Sequence, residues 1–184
     1  MSGELVTIFG GSGFIGKTLV QHLTKVGYRV RVAVRRPNNA LYVKPLGDLG
    51  QVHITQANIR NRLSVEAAIR DSDYVINLVG ISYESGAQSF DKIHNVGAGL
   101  IAEEAAMAGV KGLVHLSTIG ADIEASSYYG RSKAAGEAAV LKNFPGATII
   151  RPSVVFGPDD GFFNKFAAFA KMFQVLPVIC GDRK

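Results

Sequence analysis

The chain has 184 residues, of which 47% are hydrophobic and 19% charged, a composition that can bury a sizeable core and is not typical of disorder. Lys and Arg outnumber Asp and Glu by 20 to 15, and because no long run of like charges occurs, a nucleic-acid partner is not expected. The single cysteine, Cys180, excludes an intrachain disulfide, and the four scattered histidines have no metal-ligand spacing, so no metal site is predicted.

Short apolar runs alternate with amphipathic segments along the chain. The first strand, Leu5–Phe9, ends at a glycine cluster, and the helix predicted over 14–26 carries an apolar stripe and stops at Gly27. Further strands are predicted at 28–34, 52–54, 74–79, 113–116 and 147–150, and further helices at 62–70, 88–108, 127–142 and 162–173. Strands that alternate with helices predict the α/β class, with a parallel sheet covered by helices on both faces.

A glycine-rich loop joins the first strand to the first helix. It consists of Gly10, Gly11, Ser12, Gly13, Phe14, Ile15 and Gly16, all of which we expect to bind the cofactor. The early glycines let the backbone approach a pyrophosphate, Gly16 lets the helix lie close to the strand, and the helix N-terminus offers free N–H groups to phosphate. This context predicts a doubly wound Rossmann sheet of order 3-2-1-4-5-6 with a dinucleotide at the switch point. The alternative is a glycine turn without a ligand.

The end of the second predicted strand carries Arg35 and Arg36, where an NAD site usually has a carboxylate. No Asp or Glu stands between Tyr28 and Leu46. A guanidinium fork suits a 2′-phosphate and cannot accept hydrogen bonds from ribose hydroxyls. The pair therefore predicts NADP(H) as the preferred cofactor, with NAD(H) as the second candidate and two solvated arginines as the alternative.

The order of several motifs resembles the extended and atypical short-chain dehydrogenase/reductase superfamily, whose NAD-dependent epimerases and dehydratases share this pattern. The motifs are the glycine spacing, a Tyr-x-x-x-Lys pair at Tyr129 and Lys133, and an Arg-Pro segment that begins at Arg151. The resemblance implies further cofactor contacts at Asn58, Ile59, Leu78, Val79, Gly80, Asn95, Lys133, Pro152 and Val155. Asn58 departs from the family, since most members have Asp there.

The resemblance also implies that Thr118, Tyr129 and Lys133 are catalytic. Positions i and i+4 lie on one face of a helix, so a cationic Lys133 near Tyr129 is expected to lower the pKa of the phenol. The phenol could then exchange a proton with a substrate hydroxyl or carbonyl, while Thr118 holds the substrate oxygen. The alternative is a surface Tyr and Lys on an amphipathic helix.

A narrower resemblance follows from the short segment between Thr118 and Tyr129 and from the runs 144–153 and 157–164. They are similar to the alpha-9-type nucleotide-binding accessory subunits of respiratory complex I and their bacterial relatives. The resemblance implies an NADP(H)-dependent oxidoreductase, with complex I or a quinone-related substrate as partner. Two alternatives stay open, a non-catalytic NADPH-binding assembly subunit and a nucleotide-sugar epimerase, which the short segment disfavours.

The C-terminal part is expected to begin a truncated substrate region, residues 159–184, after a dinucleotide-binding domain of residues 1–158. Phenylalanines recur there at helical spacing, at Phe162, Phe166, Phe169 and Phe173. This stripe predicts core or interdomain packing, and if it is left exposed a homodimer is expected. Because no apolar run is long enough to span a membrane, no transmembrane segment is expected. Because the first strand starts by Leu5, no signal or transit peptide is expected. The expected location is cytoplasmic, or peripheral at the inner membrane.

Overall fold

The computed structural model describes residues 3–161 and 163–172. Within them lie six strands, β1 (Leu5–Phe9), β2 (Arg29–Val34), β3 (Val52–Gln56), β4 (Tyr74–Asn77), β5 (Gly112–Leu116) and β6 (Thr148–Ile150). The α-helices there are α1 (Phe14–Lys25), α2 (Arg62–Ile69), α3 (Gly97–Met107), α4 (Tyr128–Asn143) and α5 (Phe163–Met172). All strand pairs are parallel, and the order is β3-β2-β1-β4-β5-β6. The predicted class and strand order are confirmed.

The hydrophobic core lies on both faces of this sheet. Every residue of β1 is buried, and since successive side chains of a strand point to opposite faces, Ile8 and Phe9 belong to two different clusters. Val20 of α1 packs in the cluster with Ile8, and Ile69 of α2 and Ile101 of α3 pack in the cluster with Phe9. The sheet is therefore buried on both sides, as a doubly wound fold requires.

Local sequence signals explain where several helices begin and end. Asn61 caps α2 by accepting a hydrogen bond from the backbone N–H of Ser64 at 3.0 Å, and Ser127 caps α4 by accepting one from Gly130 at 3.0 Å. The chain leaves α1 through Gly27, whose φ of 94° is a left-handed conformation that favours glycine. These caps satisfy backbone groups that a helix end leaves without intrahelical partners.

Two segments differ from the predicted elements. The segment Pro37–Leu46, to which no element was assigned from the sequence, forms a 3₁₀ helix with proline in its first turn. The long helix predicted over 88–108 begins instead with a π-helical stretch, Asp91–Val96, before α3. A Cβ atom at Gly136 of α4 would overlap the carbonyl oxygen of His94 in that stretch, so the two backbones are in close contact. Periodicity alone could not reveal this tertiary contact.

The chain divides into two compact units, Met1–Pro152 and Ser153–Lys184. The first contains the whole sheet and α1 to α4, and the second contains α5. Within the second unit, Asp160 Oδ1 caps α5 by accepting a hydrogen bond from the backbone N–H of Phe163 at 2.6 Å. Phe162, Phe173 and Cys180 of the predictions lie outside the described residues. No helix in the described part of the chain is long and apolar enough to cross a membrane.

Candidate functional site

The glycine loop is built as tightly as its sequence predicts. Gly10 has a φ of 82°, and a Cβ atom there would lie 3.2 Å from the carbonyl carbon of Leu78. A Cβ atom at Gly16 would lie 2.5 Å from the oxygen of Gly10, so only glycine allows α1 to approach the loop this closely. The N-cap of α1, Gly13, has no side chain to satisfy the first N–H groups of the helix. Those groups are therefore available to an anion.

A cavity of about 760 Å³ lies at the carboxyl ends of the first four strands. Ten of the residues predicted to bind a cofactor line it: Gly10, Ser12, Gly13, Arg35, Arg36, Asn58, Ile59, Leu78, Val79 and Gly80. Sequence reasoning missed other lining residues, among them Asn39, Ala40, Arg60, Ile81, Gln88 and Ile93. A signal existed for Arg60 and Ile81, which directly follow the predicted residues Ile59 and Gly80 in the chain. The others reach the cavity through the 3₁₀ helix and the chain between β4 and α3.

The cavity has a strongly positive lining. Arg35, Arg36 and Arg60 all line it, and no Asp or Glu is among the lining residues of the described chain. Arg35 Nη1 donates a hydrogen bond to Gln88 Oε1 at 2.5 Å, and Arg60 Nη1 donates one to the carbonyl oxygen of Ala87 at 2.9 Å. Such a lining is complementary to a multiply charged anion.

The predicted catalytic residues lie near the end of β5 and are not among the residues that line the cavity. Lys133 is buried on α4, and its Nζ donates a hydrogen bond to the carbonyl oxygen of Leu116 at 2.7 Å. Thr118 follows two residues after Leu116, and Tyr129 precedes Lys133 by one turn of the same helix. The hydrogen bond to Leu116 thus places Lys133 at the end of β5, two residues before Thr118 in the chain.

The expected effect of Lys133 on Tyr129 was wrong. Burial lowers the pKa of the Lys133 ammonium to about 8, and burial raises the pKa of the Tyr129 phenol above its usual value. A raised phenol pKa reflects removal from water, which disfavours the tyrosinate. The phenol is therefore less readily ionised than a tyrosine in water.

A buried histidine that the sequence did not single out connects these residues to the cavity. His94 Nε2 accepts a hydrogen bond from the backbone N–H of Ile81 at 3.0 Å, and His94 Nδ1 lies 2.9 Å from Ser132 Oγ. Ser132 Oγ donates in turn to the carbonyl oxygen of Tyr129 at 2.8 Å. The His94 ring also contacts the ring of Tyr129 edge to face, with a centroid distance of 5.4 Å.

The remaining predicted cofactor residues lie outside the lining of the cavity. Gly11, Phe14, Ile15 and Gly16 belong to the glycine loop and the start of α1. Asn95 Nδ2 donates to Asp91 Oδ1 at 2.9 Å within the π-helical stretch. The carbonyl oxygen of Pro152 accepts a hydrogen bond from the N–H of Ile119 at 3.0 Å, beyond the end of β5. Val155 lies in the second unit.

Comparison with known proteins agrees with this geometry. The sequence profile of the NAD dependent epimerase/dehydratase family matches residues 6–178. The chain belongs to this family. Subunit 9 of the NADH dehydrogenase [ubiquinone] 1 alpha subcomplex from Mus musculus is 36% identical over 180 residues, which are 97% of this chain and 48% of that protein. This similarity confirms the predicted resemblance to the alpha-9-type subunits.

Two further relatives place the chain among proteins of the same fold. The ceramide reductase of Caulobacter vibrioides is 30% identical over 175 residues, which are 95% of this chain and 54% of that protein. The crystal structure of the Bordetella bronchiseptica enzyme WbmG in complex with NAD has a TM-score of 0.67 at 20% identity, and the match covers 91% of this chain and 60% of that one. The chain spans about half the length of the curated relatives it matches.

Proposed function

We propose that the chain binds NADP(H) and belongs to an oxidoreductase of the short-chain type. The observation that carries the proposal is the lining of the cavity, which has Arg35, Arg36 and Arg60 at the ends of β2 and β3 and no carboxylate among the described residues. A site for NAD(H) usually offers a carboxylate there to accept from the ribose hydroxyls, whereas a guanidinium can bind a 2′-phosphate in a bidentate manner.

The described residues fit a dinucleotide. The pyrophosphate would lie against Gly10 to Gly13 and the free N–H groups of α1, because these glycines leave room for close backbone approach. The adenosine end would occupy the cavity between Arg35, Asn58 and Val79. Such a cofactor, when bound, supplies or accepts a hydride at its nicotinamide ring.

The reaction would use Thr118, Tyr129 and Lys133 of this chain. The phenol of Tyr129 is protonated at neutral pH, as a tyrosine ordinarily is, and burial raises its pKa further. It would give its proton to a substrate carbonyl oxygen. The hydroxyl of Thr118 would hold that oxygen by a hydrogen bond. Because the pKa of Lys133 is about 8, its ammonium is protonated at neutral pH and would stabilise the tyrosinate left behind.

A second candidate is a non-catalytic NADPH-binding subunit of a respiratory complex. It is favoured by the hydrogen bond from Lys133 Nζ to the carbonyl oxygen of Leu116, which uses one of the three N–H donors of the ammonium, and by the raised pKa of Tyr129. The relatives of this chain include NADH dehydrogenase subunits, so association with complex I and a peripheral position at the membrane belong to this candidate.

Fluorescence titrations with NADPH and NADH, followed by turnover assays with quinones and small carbonyl compounds, test the proposal. NADPH that binds more tightly than NADH and is then oxidised supports the oxidoreductase. Tight NADPH binding without turnover of these substrates supports the subunit. Equal affinity for both nucleotides contradicts the proposed cofactor.

A further inference from the structure

The chain between β4 and α3 forms a compact turn beside the cavity. Ser85 and Gln88 exchange two backbone hydrogen bonds of 3.0 Å each, and the turn contains Gly86 with a φ of 55°. Glu84 Oε1 accepts a hydrogen bond from the backbone N–H of Phe90 at 2.7 Å, which closes the turn at its base. Residues 84–87 of the turn are exposed, and Gln88 is half-buried.

Two of the cavity arginines donate to this turn. Arg35 at the end of β2 binds the side chain of Gln88, and Arg60 beyond β3 binds the carbonyl oxygen of Ala87. Gln88 itself lines the cavity together with Arg35. The hydrogen bond between Arg35 and Gln88 therefore lies in the cavity wall and leaves the cavity unfilled.

The chemistry of Gln88 is suited to orienting Arg35 without neutralising it. The amide oxygen is an uncharged acceptor and occupies one of the five N–H donors of the guanidinium. The remaining N–H donors of Arg35 stay available to a phosphate. The hydrogen bond to Gln88 also restricts the rotamers of Arg35 before a ligand binds, so less side-chain entropy is lost on binding. A carboxylate at this position would instead pair with the guanidinium and cancel its charge.

We infer that Gln88 is a specificity-determining residue, which holds Arg35 in the orientation that binds the 2′-phosphate of NADP(H). The inference rests on the proposed cofactor. It assigns Gln88 an indirect role, because the contact with the phosphate is made by Arg35. This role accounts for the position of Gln88, which lines the cavity and contacts Arg35.

Fluorescence titrations of Gln88→Ala, Arg35→Ala and the double variant test this role. Gln88→Ala should weaken NADPH binding about 2- to 10-fold, the effect of one lost hydrogen bond, and leave NADH binding unchanged. In the Arg35→Ala background the same substitution should cause no further loss. Gln88→Glu should weaken NADPH binding more than Gln88→Ala does. Gln21→Ala, at an exposed position of α1, serves as the matched control.

Four results would overturn the role of Gln88: unchanged or tighter NADPH binding in Gln88→Ala, an equal loss for NADH, a further loss in the Arg35→Ala background, or no loss in Gln88→Glu. Gln88 is half-buried in an irregular turn outside both core clusters, so correctly folded variants are expected, and circular dichroism checks this. Wild-type protein without a preference for NADPH overturns the proposed cofactor as well. A wild-type preference for NADPH that is undiminished in Gln88→Ala overturns this inference alone.

Discussion

His94 accepts a hydrogen bond at Nε2 from the backbone N–H of Ile81, at 3.0 Å. Because Nε2 is the acceptor, Nδ1 carries the proton and donates it towards Ser132 Oγ. Ile81 lines the cavity, and Ser132 lies on α4 between Tyr129 and Lys133. A single neutral imidazole therefore links the cavity wall to the helix of the predicted catalytic residues.

The free energy of unfolding should fall as the pH drops below the ordinary pKa of histidine. Burial, and then the charge of Lys133, lowers the pKa of His94 to about 4 and that of His115 to about 4. Between about pH 6.5 and pH 4 the unfolded chain binds protons that the folded chain does not, so the free energy of unfolding decreases with falling pH. Each histidine contributes up to about 3 kcal/mol to this loss.

Urea unfolding between about pH 7.5 and pH 4.5 measures this loss. His94→Gln keeps an acceptor and a donor but no longer titrates, so its stability should depend less steeply on pH than that of the wild type. His53→Gln, at an exposed position, should keep the wild-type slope. An unaltered slope in His94→Gln would mean that folding does not lower the pKa of His94.

Gly16→Ala should disrupt the nucleotide loop. The new Cβ atom would lie 2.5 Å from the oxygen of Gly10 and 2.6 Å from the backbone of Gly11, and backbone atoms cannot move aside as a flexible side chain can. Overpacking of this kind costs about 1–3 kcal/mol or more. We expect a lower melting temperature and a loss of NADPH binding.

Gly120→Ala is the control for this prediction. No heavy atom beyond its chain neighbours lies within 4 Å of a Cβ atom at Gly120, and its φ is not in the left-handed region. Its stability and its NADPH affinity should therefore match those of the wild type. Equal behaviour of the two alanine variants would contradict the close packing of α1 against the loop.

The parts of the fold that sequence could predict are those whose signals are local. The apolar run Leu5–Phe9 and the glycines after it determine the first strand, loop and helix together. The π-helical stretch Asp91–Val96 was not predicted, and its backbone at His94 packs closely against Gly136 of α4. His94 and Gly136 are far apart in the chain, and the residue spacing within either segment does not indicate their contact.

The same distinction holds for the candidate site. Arg35 stands directly after a predicted strand, so its place in the cavity followed from the sequence. Gln88 reaches Arg35 through an irregular turn, which has no periodic pattern. The charge of Lys133 suggested a lower pKa for Tyr129, whereas burial, which a sequence does not display, raises it.

Tyr129→Phe should separate chemistry from binding. If the phenol is the proton donor, its removal should lower kcat by about 10²- to 10⁴-fold, the usual contribution of general acid catalysis. NADPH affinity should change little, because Tyr129 is not among the residues that line the cavity. Turnover with a small carbonyl substrate, and a separate fluorescence titration, measure the two effects.

Tyr128→Phe provides the matched control, because Tyr128 is the neighbouring tyrosine and also packs against Phe90. This variant should keep the wild-type kcat. A loss of similar size in both variants would indicate that the aromatic cluster needs the hydroxyls for packing. Full activity in Tyr129→Phe would contradict the role of its phenol as proton donor.

Arg35→Ala should weaken NADPH binding and leave NADH binding nearly unchanged. A hydrogen bond from a charged group contributes about 1.5–3 kcal/mol, which corresponds to roughly 10- to 100-fold in affinity. Because Arg35 is exposed, solvent screening favours the lower end of this range. Arg36→Ala shows whether the neighbouring guanidinium also binds the phosphate, since both arginines line the cavity.

Arg70→Ala is the control, because Arg70 lies at the exposed end of α2 and outside this lining. It should change the affinity for neither nucleotide. Titrations at two salt concentrations complete the test. The preference for NADPH should shrink with added salt in the wild type and depend less on salt in Arg35→Ala. A preference for NADPH that survives the loss of both arginines would contradict their role in cofactor choice.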